Sequence, residues 1–567
     1  MKERFDNSVY HKKNLLGKTV MFIIPHEDDE INAFGGILPY LAANSKRVIC
    51  VFTTNGDYTY DAKTRMYEAM KSLKLMGVSA ENVYFLGYGD CYRDPCNLYL
   101  NPHSLTGVRS SAGHEETYGL PEKPDYRYLK SGRHSCYTLE NFLLDLRDII
   151  LDFEPETLFT VGMDAHPDHV QCSLMTDAAL QLILSREGNT YQPRFLKGFA
   201  YETDFQGTKD FYARNLLATT VRHAVKRSTA TSNPTYCWED RLRFPIDRQC
   251  FSRFIFKNLL YKALACHHSQ VAICAADSDI NSDQIFWEQR TNAISYQGRY
   301  AASSGNAAAA GDFQLYAVRD IRADILEYCD QEQHTWIPDE EDEEKCLQCF
   351  LPGKRDICEV VLYGNIEGHS AVLEGVLQFS NGDTLAVGEL QKSGRATRIV
   401  FPTKLEIEWV SFSLTRSRGK RAGLTAFELY EPQHNEASNP GFIKLMTEDN
   451  FLYDYVLQPE TERLELALYS YGVREKTEIE LREKRGGCSL QGKLLQLDRD
   501  FRQVTLYAHP AGREDIYDIV LLRRPSAFAI HRLHWLQQAE RFCYRSLRRL
   551  LLYQNSLMTK LQGRKTT

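Results

Sequence analysis

Residues 19–30 read Thr19-Val20-Met21-Phe22-Ile23-Ile24-Pro25-His26-Glu27-Asp28-Asp29-Glu30. The first six are apolar after the threonine, and they are β-branched or aromatic. Such a run reads as a parallel strand covered on both faces. It stops at a proline, and an imidazole and a run of carboxylates follow at once. Acidic groups are rarely buried unless paired or bound to metal. At the carboxyl end of a strand in an open α/β sheet, such a cluster marks a ligand site.

A second cluster answers the first. Thr157-Leu158-Phe159-Thr160-Val161 is another β-rich run, and it leads into Asp164-Ala165-His166-Pro167-Asp168-His169. Pro167 suits the first position of a helix, which continues as Val170 to Ser185. His166 and His169 stand three apart at its start, so both can face one point. His26 and Asp29 share that spacing. Imidazole and carboxylate donors suit zinc, and three protein ligands with an open fourth position mark a hydrolytic site. The expected ligands are His26, Asp29 and His169, holding one zinc ion per chain. Neither motif is the His-Glu-x-x-His helix of metalloproteases.

Pro25-His26-x-Asp28-Asp29-Glu30 and His166-Pro167-Asp168-His169 together resemble the signature of the PIG-L/LmbE-like zinc de-N-acetylases, over roughly residues 17–295. Other segments share the resemblance: Thr53-Thr54-Asn55-Gly56-Asp57, Arg65-x-x-Glu68, Met76-Gly77-Val78, Val83 to Gly87 with Asp90, and Lys262 to Ser269-Gln270. It implies roles residue by residue. His26, Asp29 and His169 match the zinc ligands, and Asp28 the general base. His166 matches the group that stabilises the oxyanion, Asp168 the acid that orients it, and Arg65 and Asp90 positions that contact the sugar. Two positions depart from the pattern. Glu27 stands where proline is usual and should point away from the metal; Asn55 stands where arginine is common.

The chemistry is consistent with those roles. Zinc lowers the pKa of bound water to roughly 7 and polarises a carbonyl. Asp28, beside a ligand, can take the water proton and return it to the leaving amine. His166 can face the developing oxyanion, and pairing with Asp168 would raise its pKa. The competing role for Asp28 and Asp168 is helix N-capping.

At 567 residues the chain should hold about three domains. With 43% hydrophobic and 25% charged residues it has a soluble globular composition. A net charge of −7 argues against a general nucleic-acid binder. No stretch approaches the ~20 apolar residues of a transmembrane helix, and Met1 to Asn7 lacks a signal-peptide core. Fifteen scattered cysteines suggest a reducing cytoplasm. Cys346-x-x-Cys349 and Cys91-x4-Cys96 read as ordinary thiols.

The expected organisation is multidomain. Residues 1–298 form an α/β, Rossmann-like deacetylase domain, with a long insert over 91–136 (Tyr92, Arg93, Tyr99, His103, Arg109, His114, Tyr118) read as a lid or binding loop. Lys257 to His268 reads as a late helix, with His267 and His268 as packing or surface residues. Residues 299–435 resemble a galactose-binding-like (discoidin-type) jelly roll, on Trp336-Ile337-Pro338, Leu362-Tyr363-Gly364, Phe379-Ser380-Asn381-Gly382 and Gly423 to Leu429. Such domains bind glycans or only pack. Residues 436–525 form a small accessory β-sandwich. The tail, 526–567, is a basic amphipathic helix with Glu540 as its lone acid. It either contacts an anionic membrane peripherally or packs on its own domains or a partner.

The function expected is a cytoplasmic zinc-dependent N-deacetylase acting on an N-acetylglucosaminyl-type sugar or another N-acylated amino sugar of a glycan or glycoconjugate. Two other readings stay open: a glycan-binding scaffold with an inactive deacetylase-like domain, and a zinc amidase acting on a thiol conjugate. Everything from residue 313 onward is expected to be dispensable for chemistry on a small soluble substrate.

Overall fold

The computed structural model describes residues 17–45, 47–91, 98, 107–162, 166–200, 205–206, 211–212, 215–221, 235–322, 325–329, 332–432, 443–447, 450–453, 455–470 and 473–563. Tyr92, Arg93, Cys96, Tyr99, His103 and Asp164 lie outside them.

Five strands run parallel in the first domain: β1 (Thr19–Ile24), β2 (Arg47–Thr54), β3 (Val83–Tyr88), β4 (Thr157–Val161) and β5 (Arg194–Gly198). Their order is β3-β2-β1-β4-β5, extended by Asp283–Gln289 and Leu242–Pro245, which run antiparallel to their neighbours. The sheet is thus mixed and mostly parallel. β1 sends Val20, Phe22 and Ile24 into one core and Met21 and Ile23 into the other. A strand apolar at every position is stable only between two covered faces. Helices supply the cover: α1 (Asp29–Asn32), α2 (Leu38–Asn44), α3 (Ala62–Leu75), α4 (Tyr126–Ser131), α5 (Leu139–Phe153) and α6 (Pro167–Leu184). On α5 the Thr138 side chain accepts from the Asn141 N–H at the N-cap, and Phe142, Leu146, Ile149 and Ile150 are buried. Each such side chain contributes about 1.5–3 kcal/mol through burial.

The strand order reverses between β1 and β4, which pair in register from Val20 with Thr157 to Phe22 with Phe159. In an open α/β sheet, ligands bind beyond the carboxyl ends of the strands at such a reversal. Both sequence motifs leave the sheet there.

Antiparallel sheets follow. Arg299–Ala302, Cys346–Tyr363, Ala371–Phe379, Thr384–Val387, Ala396–Arg418 and Ala426–Tyr430 make a six-stranded sheet. Ala396–Arg418 is one 23-residue strand, kept continuous past irregularities in its pairing. The Ser380-Asn381-Gly382-Asp383 turn is present; Gly382 takes a φ of 92°, and Asn381 Oδ1 accepts from the Asp383 N–H. Trp336 makes only an isolated bridge with Leu424 and is wholly buried in this module's core. Cys346 and Cys349 lie on one strand at opposite parity, so they do not share a face. Three small antiparallel sheets then surround a core with Leu445, Leu468, Leu495, Leu506 and Val520. The chain closes on a 37-residue helix, Ala527–Gly563. The late helix expected at 257–268 is shorter, a 3-10 turn at Ile255–Lys257 followed by Leu259–Leu264. Among the described residues no helix is long and apolar enough to cross a membrane.

The expectation that the chain from 313 onward is dispensable for chemistry on a small soluble substrate concerns catalysis; its packing bears on stability. The later modules have cores of their own, yet the first domain is not closed without them. Phe313, Leu315, Tyr316, Val361 and Tyr430 belong to the same apolar cluster as Phe195 and Ile183. Tyr544 of the terminal helix belongs to the cluster on the other side of the sheet. A chain ended at 298 therefore exposes apolar surface on both faces, and it is expected to precipitate or to unfold at a lower temperature than the full chain. Tyr544→Ala is expected to cost about 3–5 kcal/mol in urea unfolding, because its ring is buried. Phe542→Ala, on the solvent side of the same helix, should change stability by less than about 0.5 kcal/mol.

Candidate metal centre

Pro25 ends β1, and its carbonyl accepts from the Thr54 N–H at 3.1 Å and the Thr54 hydroxyl at 2.8 Å. The end of β2 thus pins the start of the loop. Asp29 Oδ2 accepts from the His26 N–H at 3.2 Å, closing a tight turn. On the facing strand, His166 is the N-cap of α6 and its Nδ1 accepts from the Asp168 N–H at 3.3 Å. Pro167 takes the first helical position, as its ring requires.

These turns bring three donor atoms together. His26 Nδ1 lies 3.1 Å from His169 Nε2 and 3.3 Å from Asp29 Oδ2, and His169 Nε2 lies 3.0 Å from Asp29 Oδ2. Donors on a tetrahedral ion with bonds of about 2.0–2.1 Å stand roughly 3.3 Å apart. All three residues are buried, and Asp29 Oδ1 has no hydrogen-bond partner among the described residues. Two imidazole nitrogens and a carboxylate packed this closely fit a cation. Two wider sets also converge within 4.8 Å: His26, His166 and His169, and His26, Asp90, His166 and Asp168. The second lies on the other side of His26, where Nε2 is 3.0 Å from Asp168 Oδ2 and 3.6 Å from Asp90 Oδ1.

Asp168 therefore leans on His26, not on His166. Its Oδ2 is 3.9 Å from His166 Nδ1, and it also accepts from the Cys91 N–H at 2.9 Å. A carboxylate on the far nitrogen of a histidine fixes its tautomer and its aim. The expected rise in the His166 pKa is absent. Burial, then the nearby His26 and His169, hold its imidazole well below the ordinary value. Burial also opposes charge on His26, but the carboxylates of Asp90, Asp168 and Asp29 outweigh it and hold that ring well above its ordinary value. Burial, reinforced by Asp29 and opposed by Arg65, pushes Asp28 to about 6. Asp28 occupies the N-cap position of α1 but makes no side-chain cap bond.

Arg65 of α3 ties the loop from below. Its Nη2 donates to the Glu27 carbonyl at 2.9 Å, and also reaches Asp28 Oδ1 and Gln270 Oε1, each at 3.2 Å. Its Nη1 donates to the Gly56 carbonyl at 3.0 Å and stands 3.9 Å from Asp90 Oδ2. Gln270 Nε2 donates to the Glu27 carbonyl, and Ser269 donates to Glu68 through both its N–H and its hydroxyl. The Arg65-x-x-Glu68 and Ser269-Gln270 motifs are thus two halves of one latch. Glu27 does more than shape the loop. Its carboxyl is fully buried near Arg65, and burial pushes it to about 8.

The sequence gives no signal for two further contacts. Asp57 accepts from the Asp90 N–H at 2.8 Å and from the Tyr118 hydroxyl at 2.6 Å, so the insert helps set Asp90. Asn55 donates to the carbonyls of Gly87 and Tyr118, stitching the insert to β3. The described part of the insert is therefore packed structure and not a free lid. His267 pairs with Glu30 at 2.7 Å, away from the three converging donors, and His268 is exposed.

Residues 21–180 match the PIG-L family, described as GlcNAc-PI de-N-acetylase, and residues 294–430 match a domain of unknown function, DUF7402. The chain is 25% identical over 187 residues to a 1D-myo-inositol 2-acetamido-2-deoxy-alpha-D-glucopyranoside deacetylase of Corynebacterium glutamicum; the match covers 30% of this chain and 54% of that protein. The chain thus spans about half the length of that curated relative. Among solved structures it is similar to the N,N'-diacetylchitobiose deacetylase of Pyrococcus horikoshii, with 17% identity, a TM-score of 0.27, and coverage of 51% of this chain and 88% of that one. The downstream sheet resembles the family 32 CBM of C. perfringens NanJ, with 14% identity, a TM-score of 0.20, and coverage of 25% and 98%. The N-terminal part of the chain, over residues 21–180, is thus similar to the PIG-L family, and an antiparallel β module follows it.

Replacing Arg65 by alanine leaves buried carboxyls beside an empty space. A loss of about 3–5 kcal/mol in urea unfolding is expected. A loss below about 0.5 kcal/mol would show that the guanidinium does not hold the loop.

Proposed function

We propose that the chain is a zinc-dependent N-deacetylase that removes the acetyl group from an N-acetylglucosaminyl-type amino sugar. The observation that carries this reading is the convergence of His26 Nδ1, Asp29 Oδ2 and His169 Nε2 within 3.0–3.3 Å, at the strand reversal of a PIG-L domain. These three residues would hold the ion. When bound, zinc supplies Lewis acidity toward the acyl carbonyl and toward a water molecule.

The partition of exposure supports the other roles. The proposed ligands are sealed, whereas Asp28 and His166 keep 14% and 17% of their side chains open. These two are placed to touch a substrate. Asp28 takes the proton of the attacking water and delivers it to the leaving nitrogen. Its carboxylate is aimed by Arg65 at 3.2 Å. His166 faces the carbonyl oxygen and stabilises the charge that develops on it. Asp168 acts through His26 and so sets the direction of a ligand. Arg65 and Asp90 match positions that contact the sugar, and Asp90 Oδ1 stands 3.6 Å from His26 Nε2. Glycan contact by the sandwich is a separate part of this proposal, read by titrating chitooligosaccharides against the Asp28→Ala protein.

The decisive assay is incubation of the metal-loaded chain with a panel of N-acetylglucosaminyl compounds, with acetate as the readout. Release from at least one compound, abolished by a chelator and restored by zinc, is expected. Release from N-acyl thiol conjugates alone would replace the amino-sugar reading. Asp28→Ala should retain its metal and lose about 10²–10⁴ in kcat. His26→Ala and His169→Ala should lose the metal itself, as measured by atomic emission. Asp168→Asn should keep the fold and weaken metal affinity about 10–100-fold in a chelator competition.

A further inference from the structure

The terminal helix Ala527–Gly563 has two unlike sides. One side packs on the first domain. Glu540 accepts from the N–H groups of Ile255 and Phe256, the Tyr544 hydroxyl donates to the Ile273 carbonyl at 2.8 Å, and Arg548 pairs with Asp277 at 3.3 Å. Gln537 and Tyr544 are buried on this side. The opposite side holds Phe528, Trp535 and Phe542 at seven-residue intervals, continued by Leu550, Tyr553 and Leu557. At 100° per residue these six fall on one stripe. They are bare: Phe528 is 76% exposed, Trp535 68%, Phe542 74% and Tyr553 64%. An exposed row of aromatic and leucine side chains of this kind marks an interaction surface.

We infer that this stripe is a docking surface for an anionic lipid bilayer, with the helix lying flat in the interface. The inference does not rest on the deacetylase reading. Charge selects the occupant. The helix carries six Lys and Arg residues in a chain of net charge −7, and its one acid, Glu540, is spent on the packed side. Arg532, Arg545 and Arg549 are exposed beside the stripe. Aromatic rings flanked by arginines, with no acid among them, match an apolar layer under negative headgroups. A second copy of the helix would set arginine against arginine with no acid to pair it. The seat of the helix also reaches the metal centre. The segment from 255 to 277 binds the helix at Ile255, Ile273 and Asp277, and its middle holds Glu30, Glu68 and Arg65 through His267, Ser269 and Gln270. Docking thus fixes the domain to the surface through the strip that latches its active-site loop.

The full-length protein is to be pelleted with vesicles of phosphatidylcholine containing phosphatidylglycerol, and with phosphatidylcholine alone. Binding to the anionic vesicles is expected, falling as salt rises. Trp535→Ser with Phe542→Ser should abolish it. Arg532→Gln, Arg545→Gln and Arg549→Gln together should weaken it on the order of 100-fold, about fivefold for each charge. Should the aromatic variant fail to fold, Phe528→Ser with Tyr553→Gln reads the same stripe. Absence of binding to anionic vesicles, equal binding to both vesicle types, or binding that survives the aromatic changes overturns the inference. A dimer in sedimentation velocity that the aromatic changes dissolve, with no vesicle binding, assigns the stripe to a second copy instead.

Discussion

The adjacency of β1 and β4 is the constraint on which the site depends. The two strands are far apart in the chain, and they pair because each is apolar on both faces and needs the same two cores. Once paired, their carboxyl ends eject His26-Glu27-Asp28-Asp29 and His166-Pro167-Asp168-His169 into one crevice. His26 stands at the centre. One ring nitrogen meets Asp29 and His169, and the other meets Asp168. His26 Nδ1, Asp29 Oδ2 and His169 Nε2 stand 3.0–3.3 Å from one another, the spacing of donors on one tetrahedral ion.

The rest of the chain supports that crevice from a distance. Arg65, Glu68, Ser269 and Gln270 form a latch under the loop, and the strip that carries Ser269 and Gln270 continues into the seat of the terminal helix. The sandwich presses on the other face through Phe313, Tyr316 and Tyr430. At that seam the buried Glu428 accepts from the Tyr296 and Tyr430 hydroxyls, each at 2.6 Å. A carboxyl so deeply placed requires such donors. The later modules thus act as structural walls of the first domain, whatever else they bind.

Much of this was legible in the sequence, for physical reasons. Continuous apolar runs that end in charged clusters are strong signals, so β1, β4 and both motifs could be read directly. The basic helical repeat marked the tail. Three features were not legible. The partner of Asp168 is chosen by which ring nitrogen of His26 faces it, and chain spacing does not encode that. The shared cores depend on Tyr544 and Phe313 crossing between modules, and an aromatic residue carries no address. The two sides of the terminal helix mix apolar residues equally. Only the packing of Gln537, Glu540 and Tyr544 shows that the Trp535 and Phe542 side is the open one.

The most direct test of the proposed centre is a crystal of the zinc-loaded protein measured at the zinc absorption edge. A single anomalous peak is expected, lying about 2.0–2.2 Å from His26 Nδ1, Asp29 Oδ2 and His169 Nε2. A peak on the other side of His26, among Asp90, His166 and Asp168, would contradict the ligand assignment. No peak in the crevice would contradict the metal centre itself.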